Sequence, residues 1–345
     1  MRATAFPATS FLARPPRAGR PASISSPPRR AALTAVLAAA AIAGALASCS
    51  SAPKPPDAVY DIRNKAADYA KLGDGFMATG QYDLAEKYFR EALQADSSVD
   101  DLDGVSKSHT SLGRAYLAAG KPEEARSQFA GALDYGRMAG SGPASSLATS
   151  GLGEVSYREG DKEGALALFE RAAALAGEDG NSLAVALHDE GVAKAALGRK
   201  PEALADLERA ASINLGLRRW IELAANRYVM ASLFVSENRL EEASAMALSA
   251  LDADKRAENG RGIAGDLAAL AGISTRMDRK SEAWDYWRRC FDSALANGEP
   301  VEVRKALTAL VALADELGKA ADKTRYAAML AKLDAAQGAE LSPGR

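Results

Sequence analysis

A chain of 345 residues with a formal net charge of -2, 26% charged residues and only 6% aromatics is poor in the ring systems of large mixed cores. Its wealth of Ala and Leu suits helices packed through small contacts, and strictly alternating β-branched runs are absent. Residues 1–48 hold six arginines and no acid, so the remainder has 37 basic against 45 acidic residues, a balance of -8. That balance repels a phosphate backbone and disfavours nucleic acid as a partner.

The first element in the chain is an address. Residues 31–48, AALTAVLAAAAIAGALAS, directly follow Arg29 and Arg30 and end in small residues, the order of an export signal. The end of this stretch, Leu46-Ala47-Ser48-Cys49, resembles the lipobox of bacterial lipoproteins in all four positions. The resemblance implies cleavage before Cys49, diacylglycerol on its sulfur, and an acylated new amino terminus. Two or three acyl chains, at roughly 0.8 kcal/mol per buried CH₂, hold a protein stably on a membrane where one does not. An uncleaved anchor is the competing reading, because the 18-residue run is about the least that spans a bilayer. The alanine content and the placement of Cys49 favour cleavage. Ser50 stands where an inner-membrane retention signal would have Asp, so the expected destination is the outer membrane, facing the periplasm. Residues 49–64 then form the lipidated cysteine and a tether that Pro53, Pro55 and Pro56 keep extended.

From Lys65 onward the sequence repeats. LGDGFMATGQYDLAEKYFREAL at 72–93 returns as LGRAYLAAGKPEEARSQFAGAL at 112–133 and LGEVSYREGDKEGALALFERAA at 152–173. These units resemble tetratricopeptide repeats, and the resemblance implies an all-α, right-handed solenoid of helical hairpins. Leu72, Leu112 and Leu152 are expected to pack between helices. Gly73, Gly113 and Gly153 are expected to let the second helix approach closely. Gly80, Gly120, Gly160 and Gly198 should end first helices in the left-handed conformation, and Pro122 and Pro201, followed by glutamates, should start second helices. Ala85, Ala125, Ala165, Ala203, Ala243 and Ala283 recur at spacings of 40, 40, 38, 40 and 40. Four residues on stand Phe89, Phe129, Phe169, Leu207, Ala247 and Trp287, which should plug the joint to the neighbouring repeat.

The usual tetratricopeptide period is 34. The longer unit here is expected to extend the second helix and an exit containing Gly140, Gly180, Gly216, Gly260 or Gly298. Six repeats are read over 65–300, a capping helical pair over 301–336, and a disordered tail over 337–345. Cys290, at a small-residue position of the sixth repeat, is expected to be an inert buried thiol.

No phosphate-binding loop, nucleophile elbow, HExxH or paired CxxC is present. His188-Asp189-Glu190 cannot converge on one ligand, because consecutive helical residues point about 100° apart. The expectation is therefore a protein that is not an enzyme and uses no cofactor and no metal. In tetratricopeptide arrays the first helices line the concave face. By that resemblance the contact residues are Asp74, Met77, Lys107, Arg114, Leu117, Glu154, Tyr157, Arg158, His188, Tyr228, Thr275 and Arg276, a mixture of Tyr and Arg suited to a protein or peptide partner. The places of the known carboxylate clamp hold Ala70, Asp74, Ser111, Leu147 and Gly151, so that activity is not supported. The expected function is a scaffold or adaptor lipoprotein of the cell envelope. The alternative is an accessory lipoprotein of a solute transporter handling a small ligand.

Overall fold

The computed structural model describes residues 57–340; the export segment and Cys49 lie outside them. The described residues form fourteen α-helices and no strand. They pair in order as hairpins: α1 (Asp57–Ala78) with α2 (Tyr82–Ser98), α3 (Leu102–Ala118) with α4 (Pro122–Met138), and α5 (Gly142–Arg158) with α6 (Lys162–Ala176). Next come α7 (Gly180–Ala196) with α8 (Lys200–Gly216), α9 (Trp220–Ser236) with α10 (Leu240–Arg256), α11 (Gly260–Arg276) with α12 (Lys280–Ala296), and α13 (Pro300–Glu316) with α14 (Ala320–Glu340). Each hairpin packs on the next, so the helical part is a solenoid.

The extra length of the repeat is shared by both helices rather than lodged in the second. From α2 to α13 every helix has 17 residues except α6, which has 15 and so produces the one 38-residue spacing. Asp101, Ser141, Asp161, Asp179 and Asn259 cap helix starts by accepting a backbone N–H three residues on, which satisfies one donor that has no partner within the helix.

Turn chemistry follows from the register. The left-handed residue stands two places before the next helix, and Gly80, Gly120, Gly160 and Gly198 hold it at φ of 72°, 74°, 93° and 79°. Among the exit glycines only Gly140 and Gly298 do so. Gly180 and Gly260 instead open α7 and α11, and Gly216 closes α8. Their turns place Gly177, Arg218 and Glu258 at positive φ. A left-handed L-residue costs about 1–2 kcal/mol, part of which glycine gives back through its freer unfolded chain. Glu258→Gly should therefore stabilise the fold by about 1 kcal/mol, raising the melting temperature by about 2 °C in a chain of this size. An unchanged or lower melting temperature would contradict the account.

The alanine ladder marks the tightest crossings: all six members are fully buried. Beside it, a Cβ on Gly113 would sit 2.6 Å from the Phe129 ring, and one on Gly153 would sit 2.5 Å from the Phe169 ring. These are the close approaches expected of the Leu-Gly glycines. The leucines before them differ. Leu112 is buried in a cluster with Phe89 of the preceding hairpin, and Leu152 is half-buried against the same cluster. Leu72 is 47% exposed, because among the described residues nothing precedes hairpin one to cover that face. Cys290 is fully buried and its thiol lies 3.3 Å from the Ala264 carbonyl oxygen. Burial pushes the thiol up to about 11, so it stays protonated at neutral pH.

Candidate functional site

The first helices lie on one side of the array and touch in sequence, α3 against α5, α5 against α7, and onward to α13. Among the described residues the second helices α4, α6, α8, α10 and α12 do not meet one another. The array therefore curves toward its first helices, whose outward side chains line the inner face.

The N-terminal part of that face is occupied by its own salt bridges. Lys107 pairs with Asp103 at 2.6 Å, and Arg158 pairs with Glu154 at 2.7 Å. Asp74 is held above the usual carboxylate value by partial burial, with the charge of Arg114 on the next hairpin opposing. Tyr157 is half-buried against the cluster of Ala165 and Phe169, and Met77 against that of Phe89. Leu117, expected in the groove, is 3% exposed and belongs to a core cluster that runs through hairpins one to three. Its place on α3 turns inward beside Tyr116, so it presents nothing to a partner.

Two of the predicted contact residues bind the array to itself. Arg158 Nη1 donates to the Leu117 carbonyl at 2.9 Å, and Arg276 Nη1 donates to the Val235 carbonyl at 2.8 Å. Each reaches the C-terminal end of the preceding first helix, where carbonyls lack helical partners and carry partial negative charge. Arg276 also donates to Asn238 Oδ1 at 3.0 Å. Thr275 turns its hydroxyl back to the Ala271 carbonyl at 2.8 Å.

The face opens between α7, α9 and α11. Here α9 presents Ile221 at 53% and Tyr228 at 43% exposure, two large apolar side chains seven residues apart on one helical stripe. His188 of α7 stands behind them, and its Nδ1 lies 2.9 Å from Asn226 Nδ2. Burial holds the imidazole below its ordinary range, so it is neutral at pH 7. Asn226 Oδ1 accepts in turn from Asn214 at 2.9 Å. Gly265 and Gly272 on α11 have nothing within 4 Å of where a Cβ would stand. Gly265 lines the opening with Tyr228 and leaves bare backbone there.

Ile221, Asn214 and Asn226 were missed in the sequence. The last two could have been found by stepping 12 residues from the end of one hairpin into the next, a relation that also joins Asp96 to Ser108 and Asp254 to Asp266.

Also missed was a charged knot at the base of α7. Lys194 Nζ lies 3.0 Å from Glu190 and 2.5 Å from Asp206, with all three side chains largely buried. Burial opposes the ammonium, but the hydrogen bonds to Asp206 and Glu190 outweigh it and hold Lys194 above its ordinary range. Burial pushes Glu190 up, with Lys194 opposing. The two directions differ, and the contacts favour a charged lysine clasped by both carboxyls.

Among the described residues no three His, Cys, Asp or Glu side chains are grouped to hold a metal ion. No described helix is long and apolar enough to cross a membrane.

With this geometry in place, likeness to known proteins is informative. Residues 66–136 and 110–180 each match a tetratricopeptide-repeat family model, so the chain carries tetratricopeptide repeats over that stretch. No curated protein matches. Among solved structures, BtubC (BKLC) from P. vanneervenii is 17% identical, with a TM-score of 0.53 over 71% of this chain and 94% of that one. The apo form of RapI is 12% identical, with a TM-score of 0.60 over 78% and 76%. A Rap protein complexed with Competence and Sporulation Factor is 14% identical, with a TM-score of 0.57 over 78% and 75%. At such identities the likeness is one of fold.

Proposed function

We propose that this chain is a non-catalytic scaffold or adaptor lipoprotein of the cell envelope, tethered by lipid on Cys49 and holding a protein partner along its first-helix groove. The observation that carries the binding half is the opening between α7, α9 and α11. Exposed Ile221 and Tyr228 stand there unburied, with the bare backbone of Gly265 on the same opening. Aromatic anchors of this kind dominate protein interfaces. Tetratricopeptide repeats bind proteins and peptides, and the similar fold of the Rap protein is complexed with Competence and Sporulation Factor. A small-ligand role would need an enclosed pocket of roughly 300 Å³ or more; the opening itself, about 290 Å³, and the depression of about 610 Å³ at Leu72 and Phe76 lie open to solvent, and the more enclosed apolar cavity beside His188 and Asn226 is about 90 Å³. The tethering half is supported by Leu46-Ala47-Ser48-Cys49 and the proline-rich segment after it, with an outer-membrane position facing the periplasm as the destination.

The two halves are tested separately. A photo-crosslinking residue at Tyr228 should trap a discrete envelope protein that the same residue at Glu208, exposed on α8, does not trap. Identical adducts from both positions, or none from either, would refute the groove as the contact surface. Cys49→Ala should abolish palmitate labelling and release the protein from membranes. Persistent labelling would remove the lipid assignment while leaving the groove untouched.

A further inference from the structure

The joint between hairpins five and six holds two carboxyls that face each other without a cation. Asp254 of α10 is 4% exposed and Asp266 of α11 is 2% exposed, both line the same depression, and each carboxyl acts on the other. One repeat earlier the same two places hold Asn214 and Asn226, whose amides bond at 2.9 Å. At the first joint they hold Asp96 and Ser108, where the hydroxyl donates to Asp96 Oδ2 at 2.8 Å. In both cases a donor meets an acceptor.

An ionised carboxylate only accepts. Asp254 and Asp266 therefore fill these places in the same way only if one of them keeps a proton to donate. Asp266 Oδ2 is buried without a hydrogen-bond donor. Asn259 supplies one bond, from Nδ2 to Asp254 Oδ1 at 2.9 Å. A Cβ on Gly262 would overlap the Asp254 carboxyl, so this glycine makes room for the pair.

The surroundings supply no counter-charge. Where this chain buries Glu190 and Asp206 together, Lys194 bridges them. Among the described residues no lysine or arginine pairs with Asp254 or Asp266. From α7 and α9 the same opening is faced by His188 and Tyr228, the histidine kept neutral by burial. Arg227 of α9 turns its guanidinium to the sulfurs of Met230 and Met246. Glu302 and Lys305 of α13 act on Cys290 of α12 instead.

We infer that Asp254 and Asp266 form a proton-operated latch, which joins hairpins five and six while the pair holds one proton and loosens that joint when the proton leaves. Burial, reinforced by the charge of Asp254, pushes Asp266 up to about 8. Its folded-state affinity for the proton thus exceeds the ordinary carboxylate value, so the latch is fully closed at low pH and is lost as pH rises through about 8. Water must then reach two buried anions, and the joint opens at the wall of the groove. The latch does not depend on what the groove binds. On the reading proposed above, its release would reshape the face that carries Tyr228.

Amide hydrogen exchange of the full chain in detergent, compared at pH 6.5 and pH 9 after correction for intrinsic rates, tests the inference. The segment from Asp254 to Asp266 should lose protection at least tenfold more than the matching segment from Asn214 to Asn226. Asp266→Asn, which restores half of the amide pair found one repeat earlier, should abolish that difference, and Asp254→Asn should do the same. Equal behaviour of the two joints in the parent, or an unchanged tenfold loss in the Asp266→Asn protein, overturns the latch. So does a carbon-13 titration placing the Asp266 midpoint below pH 6, a measurement that holds even if either variant folds poorly. Capture at Tyr228 bears on the proposed partner and leaves the latch unaffected.

Discussion

Replacing Phe129 by alanine should cost about 3–5 kcal/mol of stability, the range for removing a buried aromatic side chain and leaving its cavity. The ring is fully buried and touches two hairpins at once. On its own side it fills the space above Gly113, and across the joint it fills the space above Gly151, where a Cβ would overlap it. No neighbour can slide in to refill that volume, because both facing positions are glycines. The loss should fall on the coupling between hairpins two and three, since a solenoid is held by nearest-neighbour interfaces. Urea unfolding followed by helical circular dichroism should therefore show a lower midpoint and a broadened transition, with the N-terminal hairpins separating from the rest. Phe129→Leu should cost much less, because Leu207 holds the equivalent place in hairpin four and is fully buried there. A Phe129→Ala protein within 1 kcal/mol of the parent would show that the joint is sealed by something other than this ring.

That such a joint could be read from sequence at all is due to repetition. A glycine that accommodates a ring looks like any other glycine once, but Gly113 and Phe129 recur as Gly153 and Phe169 in the same 40-residue frame. What the frame hides is anything that changes from hairpin to hairpin. Arg218 and Glu258 occupy left-handed turns that no residue-type signal marks. Leu72 was assigned burial from its equivalents, though its exposure depends on what lies beyond the first hairpin. Arg158 and Arg276 stand on first helices with acceptors that are carbonyls 41 residues earlier, and backbone acceptors have no sequence signature. The polar pairs at the joints alternate in kind, Asp with Ser, Asn with Asn, Asp with Asp, which conceals that they do one job.

Lys194→Met should be comparably damaging, and its damage should depend on pH. Position 190 of the frame corresponds to Leu72, Leu112 and Leu152 of earlier repeats, yet it holds a glutamate. That glutamate, 7% exposed, is compatible with burial because Lys194 reaches it and Asp206 together. Methionine keeps most of the lysine's length and apolar bulk while removing its charge, so the loss is electrostatic rather than a cavity. Two carboxyls are then left buried near each other without a cation, and breaking a buried pair in this way costs about 3–5 kcal/mol. The sign of the pH effect follows from protonation. Without Lys194, the burial and the Asp206 charge that raise Glu190 act unopposed. Its protonated form then sustains the variant at low pH, and that support is lost as pH rises through the raised value. In the parent the ammonium is held above its ordinary range, so its contribution persists up to and beyond the usual lysine value of about 10.4. The gap between parent and variant should therefore be small near pH 5 and close to its full size at pH 8, measured as the difference in urea midpoint. A gap that stays constant between those pH values would mean that Lys194 contributes by packing alone and that the carboxyls do not depend on its charge.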